Sequence, residues 1–371
     1  MYIDFFKLKE HPFQITPDSD FLYMSEAHAR AKAYMDYTIC NKDGFVVITG
    51  EVGAGKTTLI RKLLSEFDSN VLVAKIFQTQ LNETEFLQAV LVEFGLNPFK
   101  AQKVELMDML TTFLIESFLQ KKQLVLIVDE AQNLSPRVLE EIRMLSGLET
   151  EKQKILHVIL VGQPELNTTL DSPELEQLLQ RVRLRFHIAA LTETETRDYI
   201  AHRLHIAGSQ NVRIFADDTT SLIFQYSGGI PRLINTLCDT AMMCAFADDS
   251  PAVSLQTVKT AIEELQWQPF SLRVKKQESK QREIKEISSD PVSSNEQPVL
   301  TLSGHDLGQL ISVASSIANR AENIELLLQH AVTLLQRKNQ KISVKLGRAQ
   351  VSQLMKQLTV QIEKNQIDAS I

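Results

Sequence analysis

The chain has 371 residues, a formal net charge of −7 and a sequence pI near 5.7. That length suits two or three domains, and the acidic balance removes any global electrostatic reason for tight nucleic-acid binding. Three cysteines, Cys40, Cys238 and Cys244, form no C-x-x-C pair; they read as small, buried or half-buried helix residues in a reducing compartment, not as a disulfide frame or zinc site.

The opening Met1-Tyr2-Ile3-Asp4-Phe5-Phe6-Lys7 has no basic segment followed by an apolar core, so no secretory signal is expected. No window holds 18 consecutive apolar residues, so no integral membrane segment is expected either. The chain is expected in the cytoplasm, reaching a membrane only through a partner or its surface.

The first strong element is the apolar run Phe45-Val46-Val47-Ile48-Thr49, which leads into Gly50-Glu51-Val52-Gly53-Ala54-Gly55-Lys56-Thr57-Thr58 and then the helical pattern Leu59-Ile60-Arg61-Lys62-Leu63-Leu64. This is the phosphate-loop pattern G-x-x-x-x-G-K-[ST] in the strand-to-helix setting it requires. The glycines let backbone N–H groups face an anion, and the following helix directs its positive end at the same point. Lys56 is expected to reach the β- and γ-phosphates of a nucleoside triphosphate, and Thr57 to place its hydroxyl on Mg²⁺. Residues 50–58 together are the expected nucleotide-binding set.

A second strand is expected over 71–77, with helices near 83–94 and 103–122. The run Leu124-Val125-Leu126-Ile127-Val128 then ends in Asp129-Glu130-Ala131-Gln132. A carboxylate at the tip of a buried strand, downstream of a phosphate loop, suits magnesium, which assigns Asp129; Glu130 is placed to polarise the attacking water. A helix over 136–146, a strand over 155–161 ending at Gly162-Gln163-Pro164, and a shorter strand near 184–188 complete the alternation. Five strands with helices between them predict a parallel sheet covered on both faces.

From about Thr192 the strand signal stops. Helical spacing covers 194–206, 217–226, 231–247 and 255–265, with Pro231 where a first helical turn tolerates proline. The expected organisation is an α/β nucleotide-binding domain over 1–190, a helical lid over 191–267, a Lys/Gln/Glu/Ser/Pro-rich linker over 268–298 and a helical interaction region over 299–371. In the last, Leu310, Ile317, Ile324 and Ala331 recur every seven residues beside the row Leu307, Ala314, Ala321, Leu328 and Leu335. Such a seam forms a coiled coil, fills a partner's groove or folds back on its own domain. A last amphipathic stretch at 349–363 leaves the same choice open. Residues 268–371 hold 14 Lys/Arg against 10 Asp/Glu, so the acidity lies in the first 267.

Several of these motifs occur in one order: Phe5-Phe6-Lys7-Leu8-Lys9-Glu10-His11-Pro12-Phe13 with Thr16-Pro17-Asp18 and Phe21-Leu22-Tyr23, the phosphate loop, Asp129-Glu130-Ala131-Gln132, Val161-Gly162-Gln163-Pro164-Glu165-Leu166, and Gly228-Gly229-Ile230-Pro231-Arg232-Leu233-Ile234-Asn235. Over roughly residues 1–267 the sequence resembles the general secretion pathway protein A family of AAA+ ATPases, which includes the ATPases of MSHA pilus, exosortase and exopolysaccharide systems. Secretion-type members continue into a transmembrane segment and a peptidoglycan-binding region. The last hundred residues here read instead as linker and heptad helices, which favours an adaptor over a cell-wall role.

The resemblance implies ATP as the nucleotide and Mg²⁺ as its metal. It implies that Phe13, Pro17 and their neighbours close over the adenine, and that Gln163 occupies the sensor position at the fourth strand's tip. It further implies that Arg232 is the lid's sensor toward the γ-phosphate and that Arg181 is the arginine finger offered to a neighbouring subunit, with Arg183 the competitor. The expected activity is ATP hydrolysis within a nucleotide-dependent homo-oligomer that assembles or remodels a cell-envelope system for pili, secretion or polysaccharide export. The envelope partner is expected to engage the C-terminal helices. The alternative is a DNA-associated ATPase of the transposition-helper or replication-initiator type, disfavoured by the acidic first 267 residues and by the lack of a helix-turn-helix after the lid.

Overall fold

The computed structural model describes residues 2–40, 44–77, 79–98, 101–149, 153–209 and 214–274. The heptad seam beginning at Leu307, the stretch 349–363 and the expected linker from residue 275 onward lie outside the described residues.

In chain order the elements are α1 (Tyr2–Phe5), α2 (Glu26–Cys40), β1 (Phe45–Gly50), α3 (Lys56–Ser65), β2 (Val71–Ile76), α4 (Glu83–Glu93), α5 (Lys103–Leu119), β3 (Gln123–Val128), α6 (Pro136–Ser146), β4 (Leu156–Gly162), α7 (Glu165–Leu170), α8 (Glu176–Leu179), β5 (Leu184–Ile188), α9 (Glu193–Ile206), α10 (Thr219–Ser227), α11 (Pro231–Ala247) and α12 (Leu255–Glu264). Polar residues set several starts. Asn82 and Glu85 close a capping box on α4, and Thr192 and Glu195 close one on α9; Ser135 caps α6 with Pro136 at its first position. These side chains satisfy backbone N–H groups that the first helical turn leaves without partners.

The strands form one parallel sheet in the order β2-β3-β4-β1-β5. Strand periodicity explains how it is covered. Val47, Leu126, Val128, Val158 and Leu160 point to one face and pack with side chains of α4 to α8. Val46, Ile48, Val125, Ile127, Ile159 and Val161 point to the other and pack with α2 and α3. Every residue of β1 and β4 is buried, as a strand sandwiched between two helical layers must be. The expected five-stranded parallel sheet with helices on both faces is therefore present.

Helices α9 to α12 make a separate cluster around Tyr199, Ile223, Leu237, Met242, Val258 and Ile262. The N-terminal segment joins this cluster: Tyr2, Phe6, Leu8, Phe13 and Phe21 are buried among these helices. Cys238 and Cys244 are buried as expected, but Cys40 is exposed, because it ends α2 at the rim of the layer. Residues 267–274 pack onto α10: Phe270 lies against Gly228 and the Arg273 guanidinium donates to the Tyr226 carbonyl. Among the described residues no helix is long and apolar enough to cross a membrane.

Candidate nucleotide site

Because all five strands are parallel, the ends of β1, β3 and β4 open along one edge of the sheet, where ligands of such sheets bind. The register pairs Thr49 with Gly162 and Val128 with Leu160, so Gly50, Asp129 and Gln163 leave the sheet side by side. A cavity of about 340 Å³ lies there, bounded by Gly53, Gly55, Lys56, Thr57, Thr58 and Glu130 at one end, by Ile15, Pro17, Leu22 and Tyr23 at the other, and by Arg232 and Asn235 from the helical unit.

The phosphate loop takes the form its glycines permit. Gly53 and Gly55 have φ of +84° and +93°, conformations that side-chain-bearing residues rarely adopt. Lys56 is 5% exposed, and its ammonium donates to the carbonyls of Gly50 at 2.7 Å and Glu51 at 3.0 Å. Burial holds its pKa below the usual lysine value, while the charges of Glu130 and Asp129 oppose that shift. A buried cation whose hydrogen bonds go to backbone carbonyls, at the N-terminus of α3, suits a phosphate anion.

Asp129 is 2% exposed and accepts from the Thr57 hydroxyl at 2.7 Å and from the Glu130 N–H at 2.9 Å. Burial raises its pKa, and these two hydrogen bonds counter the rise. A hydroxyl and a carboxylate in contact are the oxygen donors magnesium takes from a protein, its other positions going to phosphate and water. Among the described residues no group of three or more His, Cys, Asp or Glu is gathered to hold a metal by protein ligands alone. The donor set thus fits a magnesium ion delivered with a nucleotide.

Glu130 has φ of +51°, a left-handed backbone seldom seen outside glycine. Its Oε2 accepts from the side-chain amides of Gln132 at 2.7 Å and Gln163 at 3.2 Å, and Gln132 Oε1 accepts from the Gln163 N–H at 3.0 Å. Thr79 donates to the Glu130 carbonyl at 3.2 Å. Gln132 thereby joins the tips of β3 and β4. Gly162 lies close beside it: a Cβ there would lie 2.9 Å from Gln132 Oε1, so a larger residue would push the Gln132 amide aside.

The helical unit reaches the loop through the start of α11. The Arg232 N–H donates to the Gly53 carbonyl at 3.2 Å, and the side chain lines the cavity. Pro17 lines the cavity too. Phe13 does not: it is 1% exposed, its ring 5.9 Å from that of Phe215 in the helical core, because an aromatic side chain gains more from that burial than from a wet cavity rim. Arg181 is away from the cavity, donating to the Arg143 carbonyl at 2.5 Å and the Ser146 hydroxyl at 3.2 Å at the end of α6, while Arg183 is exposed.

Two contributors carried no sequence signal. His28, 3% exposed, lies beneath the loop with Nε2 at 2.9 Å from the Ala54 carbonyl and Nδ1 at 2.7 Å from the Ser25 hydroxyl. A carbonyl only accepts, so Nε2 carries the proton and Ser25 donates to Nδ1. Arg203 is the other, buried at the cavity wall and bonded to the carbonyls of Pro12 and Gln14 in the strap 12–18. In sequence each is an ordinary polar residue near or within a helix.

This fold and this site define a phosphate-loop nucleotide-binding protein of the AAA class, and residues 40–170 match the family model described as an AAA domain. Over 251 residues the chain is 42% identical to general secretion pathway protein A of Aeromonas hydrophila, an alignment covering 67% of this chain and 46% of that protein. The resemblance drawn from the motifs is thus borne out, although the chain spans less than half the length of that relative. The solved structure of Cdc6p from Pyrobaculum aerophilum aligns with a TM-score of 0.54 at 16% identity, over 71% of this chain and 70% of that one. The ORC2 protein of Aeropyrum pernix, solved as ADPNP–ADP complexes, aligns with a TM-score of 0.51 at 18% identity, over 67% and 72%. At such identities the likeness shows the shared fold alone.

Proposed function

We propose that this chain hydrolyses ATP and uses the cycle to assemble or remodel a bacterial cell-envelope system for secretion, pili or polysaccharide export. One observation carries the catalytic part: Lys56, Thr57, Glu130 and Arg232 line a single cavity, with Asp129 bonded to Thr57 and two side-chain amides bonded to Glu130 just behind it. The envelope part is supported by the likeness to general secretion pathway protein A.

Each residue has a task that its position suits. Lys56 leaves its two carbonyls to neutralise the β- and γ-phosphates. Thr57 and Asp129 would hold magnesium, which would offset charge on the phosphate oxygens. Glu130 takes a proton from the attacking water through the carboxylate oxygen that the glutamines leave open. Gln163 orients that water, and Arg232 meets negative charge developing on the γ-phosphate. A further arginine comes from a neighbouring subunit. Arg181, whose guanidinium donates to the Arg143 carbonyl of α6, and the exposed Arg183 two residues on are the two candidates for that arginine. The protein works as a nucleotide-dependent homo-oligomer at the cytoplasmic face, its envelope partner engaged by the region beyond residue 298.

The test is steady-state ATP turnover over a protein concentration series, with and without duplex DNA, with Glu130→Gln as the blank. Turnover per subunit that rises with concentration and ignores DNA supports the proposal. Turnover unchanged in Glu130→Gln removes the assigned base, and strong stimulation by DNA transfers the reading to a DNA-associated ATPase.

A further inference from the structure

The cavity end remote from the phosphate loop is built from a strap, residues 12–18, that has no regular secondary structure of its own. What holds that strap lies nearly two hundred residues away in sequence. Arg203, on α9, is 5% exposed; its Nε donates to the Pro12 carbonyl at 2.5 Å and its Nη2 to the Gln14 carbonyl at 3.0 Å. The guanidinium carbon lies 4.5 Å from the centre of the Phe21 ring, so the cation is stacked on an aromatic face as well as bonded in its plane. Asn235 of α11 donates to the same Gln14 carbonyl at 3.4 Å, and the Tyr199 hydroxyl orients it by donating to its Oδ1 at 2.7 Å. Lys9 adds a backbone bond to the Ala207 carbonyl at 2.8 Å.

A buried guanidinium bonded to carbonyls costs desolvation that the fold must offset, and an apolar residue would pack the helical core without that cost. What arginine supplies is geometry: a planar fork that fixes two carbonyls of one strap at once. Beyond that fork the strap presents Ile15 and Pro17 to the cavity, and the Pro17 carbonyl accepts from Arg61 of α3, the helix that follows the phosphate loop. The strap thus spans from the helical unit to the phosphate-binding helix, along the wall where a nucleoside would lie.

We infer that Arg203 is a positioning residue for nucleoside recognition: it fixes the strap 12–18 against the helical unit so that the wall facing the base is preformed. This deepens the nucleotide reading above and rests on it. The base-dependent part of binding depends on Arg203, whereas the phosphate-dependent part, carried by Lys56 and the loop, does not.

The experiment compares binding of Mg-ATP and of magnesium tripolyphosphate, which has the phosphates but no nucleoside, to the full chain and to Arg203→Met, by calorimetry. The expected result is ATP affinity reduced ~10-fold or more in the variant, with tripolyphosphate affinity within about 2-fold of the parent. Arg203→Lys, which keeps the charge but cannot bridge both carbonyls, should weaken ATP by an intermediate factor and carries the same comparison if Arg203→Met does not fold. Equal losses for both ligands would reduce Arg203 to a fold residue and overturn the inference, as would unchanged ATP affinity. If the parent chain binds tripolyphosphate but gains nothing from the nucleoside, the inference fails while the phosphate site stands. If it binds neither, the nucleotide reading fails with it.

Discussion

The backbone N–H of Arg232 donates to the carbonyl of Gly53 at 3.2 Å, joining the first turn of a helix in the helical unit to the centre of the phosphate loop. The approach is so close that a Cβ on Gly53 would lie 2.5 Å from the Cβ of Arg232. Loop and helical unit are therefore in direct backbone contact on one side of the cavity, and a nucleotide entering it must meet both.

Gly53→Ala tests that contact. The new methyl meets Arg232, and φ of +84° adds about 1–2 kcal/mol of backbone strain. We expect nucleotide affinity to fall ~10-fold or more. Arg232→Ala, which leaves the backbone contact intact, should preserve most of the affinity and lower turnover ~10²-fold. Equilibrium binding alongside kcat separates the two effects, and equal losses of affinity in both variants would contradict it.

Lys56→Ala and Glu130→Gln should fail in different ways. Without the ammonium the loop loses its buried cation, and ATP binding should drop below detection at micromolar ligand. Glu130→Gln keeps the shape of the side chain and an oxygen that accepts from Gln132 and Gln163 but cannot take up a proton, so it should bind ATP normally while turnover falls by ~10²-fold or more. Filter binding and a phosphate-release assay on the same preparations read both quantities.

Gln132→Ala removes the link between Glu130 and the backbone of Gln163. Because Gln132 bonds the carboxylate and does not itself line the cavity, the loss should fall on kcat, by ~10-fold or more, with KM little changed. Gln132→Glu, which sets a second carboxylate beside Glu130, should be more damaging still. A rise in KM with kcat preserved would show that Gln132 serves binding instead.

Acid should loosen the floor of the loop. Burial holds the pKa of His28 below its ordinary value of 6.5, against opposing contributions from the hydrogen bond to Ala54 and the charge of Glu195. The unfolded chain therefore takes up the proton first as pH falls. The stability His28 contributes is complete above 6.5 and is lost as pH drops through 6.5 toward the lower folded value. Thermal unfolding of the parent and of His28→Gln between pH 8 and pH 5 should converge at the acid end. Parallel curves throughout would remove His28 from the account.

How far the sequence went toward this structure depends on how local each signal was. Phe45 to Gly50 and Leu124 to Val128 are legible because a strand buried on both faces must be continuously apolar, and the residues that follow them carry chemistry with few alternatives. Gln163 and Arg232 are assigned by resemblance alone; Gln163 bonds Glu130 because it leaves the tip of β4 beside β3, and Arg232 lines the cavity because the start of α11 bonds the phosphate loop. Phe13 was misjudged because nothing local distinguishes an aromatic residue that walls a cavity from one that plugs a distant core. Arg203 and His28 were invisible for the same reason: what they bond to, Pro12 and Gln14 for one and Ala54 for the other, is set by tertiary approach and leaves no period in the sequence. Arg181 shows the converse, since a surface-looking basic cluster gave no sign that one of its members is turned inward onto α6.

The burial of Tyr2, Phe6, Phe13 and Phe21 among helices α9 to α12 has a consequence for biogenesis. These aromatics are synthesised before the sheet, and the helices that cover them only after the whole sheet has been made. At ordinary elongation rates of about 5–20 residues per second the wait is roughly 10–40 s. Through that interval the nascent chain carries an adhesive apolar segment with no home. The helical unit is thus closed by residues made long before it, and that waiting segment is where a chaperone would be needed most.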